Sequence, residues 1–214
     1  CEGKLMSFSK PKIYNLALQA LLLAKEVADT ETDTSNEVQV LNTHYDVALW
    51  SALQDMDLDS LSSTVALELL ATLTAETDLW DYVYKYPTNC AFMRRIKSAA
   101  VIDNRYSHVP KKVQIYDVTG VKAIYTNEVS AVIEYIPKDV SLEALSSMAG
   151  LAVAYKLAYL SAPLIVGKGA KTLRESILDA YKVAKHEAQE LDSMENFNYE
   201  TDEARSEFVA ERLS

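Results

Sequence analysis

Glycine and proline are scarce in this chain of 214 residues, five of each, so flexible or proline-stiffened linkers have little material to form from. Two cysteines, Cys1 and Cys90, supply neither a disulfide framework nor a metal quartet, and both are expected to be reduced thiols of a cytosol. The three histidines, His44, His108 and His186, share no ligand spacing with each other or with cysteine or carboxylate. Neither Gly-x-Ser-x-Gly nor His-Glu-x-x-His occurs. The first apolar run lies inside an amphipathic pattern and has no cleavage site, so no signal peptide is expected.

Basic charge is also missing where it would be conspicuous. From Glu26 to Tyr84 there is no Lys or Arg against 13 Asp and Glu. From Lys85 to Lys112 the balance inverts, with seven Lys and Arg against Asp103 alone, and from His186 onward only Arg205 and Arg212 interrupt the acid. The net charge of -10 argues against a protein that wraps DNA on a generally basic surface. Blocks of this kind suit two arrangements: separate solvated faces, or complementary faces of neighbouring subunits in a ring, where one patch meets a different one.

What is present is apolar material, 49% of the chain, with a mean hydropathy of -0.06, enough for a globular core. Met148 to Val166 is nearly all apolar, but Lys156 near its middle and Pro163 near its end make it a poor membrane span. Its small residues, Ala149, Gly150, Ala152, Ala154 and Ala158, suit close helix contact, so a buried helix is expected and no membrane partner.

The periodicity predicts helices over residues 11–28, with Ile13, Leu16, Ala17, Ala20, Ala24 and Val27 on one face, and from a capping box at Thr34-Ser-Asn-Glu37 to Met56. Residues 60–74 fit either period; a strand paired with Trp80–Tyr86 is preferred. Short β runs follow over 91–101, 112–118, 121–125 and 130–136, with turns at Asp117–Gly120 and Thr126-Asn127. A third helix is expected over 141–161 with Ser141 as N-cap, and a fourth over 168–194, close to heptad spacing and roughly 40 Å long. The predicted class is α+β: a helical bundle of four helices (11–57 and 141–194) with an inserted small antiparallel β-domain (62–136) and a C-terminal docking tail (195–214).

Three segments imitate chemical motifs. Asp55-Met-Asp-Leu-Asp59 opens like a calcium loop but has Ser60 and Ala66 where Gly and Glu are needed, so it reads as a solvated helix end. Gly167-Lys-Gly-Ala-Lys-Thr172 lacks the order of a phosphate loop and follows a helix rather than a strand; it reads as a helix connection. Arg94, Arg95, Lys97, Arg105, Lys111 and Lys112 form the candidate anion-facing patch. They are outward strand positions on the plain reading. On a functional reading they meet the acidic face of a neighbouring subunit or phosphates of DNA in a channel. The neighbour is favoured, because a channel that DNA slides along should not grip phosphate. The tail carries Phe197, Tyr199, Phe208, Val209 and Leu213, either packed on its own chain or presented to a partner.

The stretch Trp80-Asp-Tyr-Val-Tyr-Lys-Tyr-Pro-Thr-Asn-Cys90 carries the most information. Together with Glu37-Val38, Leu41-Asn42 and Tyr45 on the second helix, the strand Val132-Ile-Glu-Tyr-Ile136, the Ala-rich helix Ala149–Ala162 and a long acidic-ended last helix, it resembles the head–tail connector proteins of tailed bacteriophages (adaptor, or tail tubular A-like). The resemblance spans most of residues 11 to 195 and departs from the family at Asp57-Leu-Asp-Ser-Leu61. It implies a structural virion protein of the neck, assembled in the host cytoplasm. It further implies a ring, twelve-fold in the family, between the portal protein and the next tail or neck protein. DNA passes through such a ring without sequence-specific binding, and no catalysis, metal or cofactor is involved. The family's C-terminal segment often docks on the portal, a role that would fall here to Phe197, Tyr199, Phe208, Val209 and Leu213. Two rivals stand beside it: a non-viral helical adaptor that binds a partner through the same tail without ring assembly, and an enzyme built from scattered carboxylates.

Overall fold

The computed structural model describes residues 7–73, 79–98, 111–116 and 119–212, with side chains described as far as Glu195. It contains four α-helices and two antiparallel sheets, a mixed α+β arrangement: α1 (Lys10–Ala20), α2 (Asn36–Met56), β1 (Ser63–Ala66), β2 (Leu69–Thr72), β3 (Tyr82–Lys85), β4 (Cys90–Ser98), β5 (Lys112–Tyr116), β6 (Val121–Thr126), β7 (Ala131–Pro137), α3 (Ser147–Ile165) and α4 (Ala170–Arg212). The chain divides into two compact units, Cys1–Leu61 with Val140–Ser214, and Ser62–Asp139.

In the first unit α3 packs against α1, α2 and α4. Its small residues allow this: Ala149, Gly150, Ala152, Ala154, Ala158 and Ala162 are all buried, so three helices approach its backbone. Gly150 seats the ring of Phe8, which occupies the space where a Cβ would stand. The Ser146 hydroxyl caps α3 by accepting from the Ala149 N–H at 3.2 Å. α3 is, among the described residues, the one helix long and apolar enough to cross a membrane, and half of that stretch is buried inside the protein.

Four expectations about helix ends need correction. α1 stops at Ala20 rather than residue 28: Leu22 takes a left-handed backbone, φ 60°, and its N–H donates to Gln19 O while Leu23 N–H reaches Leu18 O. This double closure ends a helix decisively, although Leu21-Leu22-Leu23 looks helical by composition. Val27 is buried by other means, since Asn15 both accepts its N–H (2.7 Å) and donates to its C=O (3.0 Å). The capping box at Thr34 does not form: the N-cap of α2 is Ser35, without a side-chain cap bond, and Glu37 turns to Lys25 at 3.2 Å. Ser141 caps a separate 3₁₀ turn, Leu142–Ala144, not α3. Finally α4 does not end near Met194 but continues to Arg212, 43 residues and roughly 64 Å. No Gly or Pro follows Gly169 to stop it.

In the second unit the strand orders are β1-β7-β4 and β2-β3-β6-β5. The stretch 60–74 holds two strands that divide between the sheets. β2 pairs with β3 as expected, and β1 pairs with β7. Tyr84 and Ile124 from one sheet and Ile96, Ala131 and Ile133 from the other share a core. The opposite face of the four-stranded sheet buries Val83, Ala123 and Tyr125 beneath Trp80 and Tyr116.

Candidate interaction surfaces

The Trp80–Cys90 stretch is built into this β unit. Tyr84 crosses the core, and its hydroxyl reaches the carbonyls of Glu128 and Val129, both at 2.8 Å. The Cys90 thiol donates to the Tyr86 hydroxyl at 3.2 Å, and the Lys122 ammonium lies 3.7 Å from the Tyr86 ring centroid. Burial pushes the Cys90 thiol above its ordinary range, so it is a packing residue rather than a nucleophile. The Pro87-Thr88-Asn89 turn is stapled to the end of β7: Lys138 N–H donates to Asn89 O (2.8 Å), Lys138 Nζ to Thr88 O (2.9 Å), and Asn89 Nδ2 to Asp139 Oδ1 (2.6 Å).

Three members of the basic patch meet on one carboxylate. Glu134, on β7 and 3% exposed, accepts from Arg94 Nη1 at 2.8 Å and Arg95 Nε at 2.9 Å, and Lys97 Nζ contacts the same carboxylate. A β-bulge makes this possible. Between Met93, opposite Tyr135, and Arg95, opposite Glu134, β4 inserts Arg94 as an extra residue, so two consecutive side chains reach one partner. Lys97 is the diagonal neighbour on the same face, while Ile96 points into the core opposite Ile133. Burial alone would raise the Glu134 carboxyl, but the hydrogen bonds and charges of Arg95 and Lys97 outweigh it and hold it below the usual carboxylate range. Lys112 lies exposed on β5 in the other sheet, with Lys111 half-buried just before it, where burial lowers its ammonium. Arg105 lies outside the described residues. Sequence reading missed Glu134; the signal was an acid in the middle of an otherwise apolar strand, Ala131–Pro137, which needs cations close by.

The helical unit holds a second ionic site the sequence reading passed over. Asp55, near the end of α2, accepts from Lys156 Nζ on α3 at 2.8 Å and from the Tyr181 hydroxyl on α4 at 2.7 Å. The Lys156 ammonium also lies 4.7 Å from the Tyr181 ring centroid. Burial tends to raise the Asp55 carboxyl, and the hydrogen bonds from Lys156 and Tyr181 reverse this and leave it lowered. Burial, then Asp55, pushes the Tyr181 phenol up. Thus the segment that opened like a calcium loop ties three helices together through its first aspartate. Lys156, incongruous in an apolar helix, was the signal that a partner acid had to exist. Further along α4, Gln189 Nε2 donates to Met56 O (2.8 Å), and the Asp192 carboxylate accepts the N–H groups of Asp59 (2.7 Å) and Ser60 (3.0 Å).

Of the docking residues expected in the tail, Phe197, Tyr199, Phe208 and Val209 fall on the helical backbone of α4, but their side chains lie outside the described residues, as does Leu213 altogether. Among the described residues no group of three His, Cys, Asp or Glu is placed to hold a metal ion. No protein-family model matches this chain, and no curated protein matches it.

Proposed function

We propose that this chain is a structural subunit of a tailed-phage neck, a ring between portal and tail with a central channel for DNA and no catalytic role. In this reading a helical bundle, residues 11–57 with 141–194, carries an inserted β-domain, residues 62–136. The ring is twelve-fold, as the resemblance implies, and the protein belongs to the virion after assembly in the host cytoplasm. The observation that carries the reading is α4. Gln189 and Asp192 tie it to the end of α2 and the turn beyond, yet the helix runs on to Arg212. It outlasts α2 and α3, of 21 and 19 residues. A helix that overshoots its bundle, and whose sequence there still carries Phe197, Tyr199, Phe208 and Val209, with Leu213 next in the sequence, is built to meet another molecule; here that molecule is the portal. The basic residues Arg94, Arg95, Lys97, Lys111 and Lys112, with Arg105 in the sequence between them, are the positions offered to an acidic neighbour in the ring.

Native mass spectrometry of the purified chain, alone and mixed with a candidate portal, tests this. A mass near a dozen subunits in either sample supports the ring, and truncation after Met194 should abolish co-assembly with the portal. Monomer or dimer in both samples would favour the second reading, a non-viral helical adaptor that uses the same overhanging helix without a ring.

A further inference from the structure

α4 begins with charge that opposes its own dipole. A helix N-terminus is positive and favours carboxylates, and its C-terminal end favours cations. The first turn of α4 has no acid; Lys168 precedes it and Lys171 and Arg174 follow. From His186 onward the sequence has nine Asp and Glu against two Arg. The start of α4 is therefore penalised within its own chain, and the acidic stretch beyond His186 is its complement in charge.

The basic end is concave. Tyr159, Pro163 and Leu178 floor a hollow of about 350 Å³, with Lys168, Lys171 and Arg174 around it; Glu175 is the acid on its wall. The Arg174 guanidinium stacks on the Tyr159 ring, 4.2 Å from its centroid, and its Nε is buried without an acceptor. An acidic stretch midway along α4 presents matching chemistry. Leu191 is 46% exposed and Met194 62% exposed, and the carboxylates of Glu187, Glu190 and Glu195 stand exposed around them. His186 Nε2 lies 3.4 Å from Glu190. An apolar floor rimmed by cations faces an apolar pair rimmed by carboxylates.

We infer that the hollow at the start of α4 receives the Glu187–Glu195 stretch of α4 from a second copy of this chain. Leu191 and Met194 cover the Tyr159–Leu178 floor, and the carboxylates pair with the cations of Lys168, Lys171 and Arg174 around it. Because the two patches differ, the contact is head-to-tail and closes into a ring or extends as a filament, according to the rotation it imposes. The inference rests on the ring reading and gives that ring its subunit contact.

The test is a charge-swap cycle on the full chain, read by native mass spectrometry and sedimentation at low and high salt. Lys171→Glu with Arg174→Glu, and separately Glu187→Lys with Glu190→Lys and Glu195→Lys, should each weaken self-association by about ten-fold or more. Mixing the two variants should restore it, and salt should weaken the wild type. Circular dichroism melts check that each variant folds, and Lys171→Gln with Arg174→Gln provides a milder version. An oligomer that ignores both reversals overturns this contact while leaving the ring reading intact. A wild type that stays monomeric both alone and with the candidate portal overturns both. Inorganic phosphate that binds the monomer in the hollow, with no self-association, would reassign the hollow to a small anion and overturn the contact.

Discussion

Replacing Glu134 by Gln should unsettle the β unit more than any other conservative change in it. The glutamate is buried and takes three charged donors. Charge-assisted hydrogen bonds contribute about 1.5–3 kcal/mol each, which sets a gross loss of roughly 5–9 kcal/mol. Arg95 and Lys97 are 40% and 30% exposed and recover hydration when the carboxylate charge is gone, while glutamine keeps one carbonyl acceptor for Arg94. The net loss expected is about 2–4 kcal/mol. Urea unfolding followed by tryptophan fluorescence measures it. The chain has two tryptophans, Trp50 on α2 and Trp80 against the β core, so a Trp50→Phe background leaves Trp80 as the sole reporter. The pH dependence sharpens the test. A carboxyl held below its unfolded value, near 4.5, gives its full stabilisation above that value and loses it as pH falls through the folded value. The gap between wild type and variant should therefore be constant from neutrality to about pH 5 and close in stronger acid. A variant within about 0.5 kcal/mol of wild type at pH 7, or a gap that persists undiminished in strong acid, would refute the reasoning.

Two further outcomes are expected. Leu22→Gly should stabilise the helical unit by about 0.5–1 kcal/mol, since a non-glycine residue pays about 1–2 kcal/mol for a left-handed backbone and glycine's unfolded-state entropy returns only part of that. Leu22 is 81% exposed, so little packing is lost, and a thermal melt shows the sign. Gly150→Ala should destabilise by about 1–2 kcal/mol because its methyl displaces the Phe8 ring. In a Phe8→Ala background the same change should reverse sign and stabilise by up to about 1 kcal/mol, the helix-propensity gain alone. Equal effects in both backgrounds would show that Phe8 is not the obstacle.

Element identity was legible wherever a hydrophobic period ran long. The stripes of α2 and α4 and the β-branched runs of β6 and β7 stand where the pattern places them. Ends were less legible, because several residues compete to cap and backbone geometry decides among them. Ser35 displaced Thr34, Ser146 displaced Ser141, and Leu22 ended α1 with a residue whose composition says helix. The acidic content after Met194 suggested a tail, yet acids are good helix formers and no breaker follows. The two ionic sites were hidden for a different reason. Alternation along β4 sends Arg94 and Arg95 to opposite faces, and only the bulge brings them together; Asp55, Lys156 and Tyr181 come from three helices. What could be read was the need for partners: a lone acid in an apolar strand and a lone lysine in an apolar helix.

The place of α3 at the centre of the helical unit also fixes an order of events during synthesis. The β unit is drawn from one uninterrupted stretch, Ser62–Asp139, so all its strands have left the ribosome before the helical unit is complete. The buried faces of α1 and α2 have no α3 to close on until Ser147–Ile165 emerges. Until then the nascent chain carries all the strands of the β unit behind two helices that lack their partner, and the apolar surface of α1 and α2 is the part a chaperone would meet.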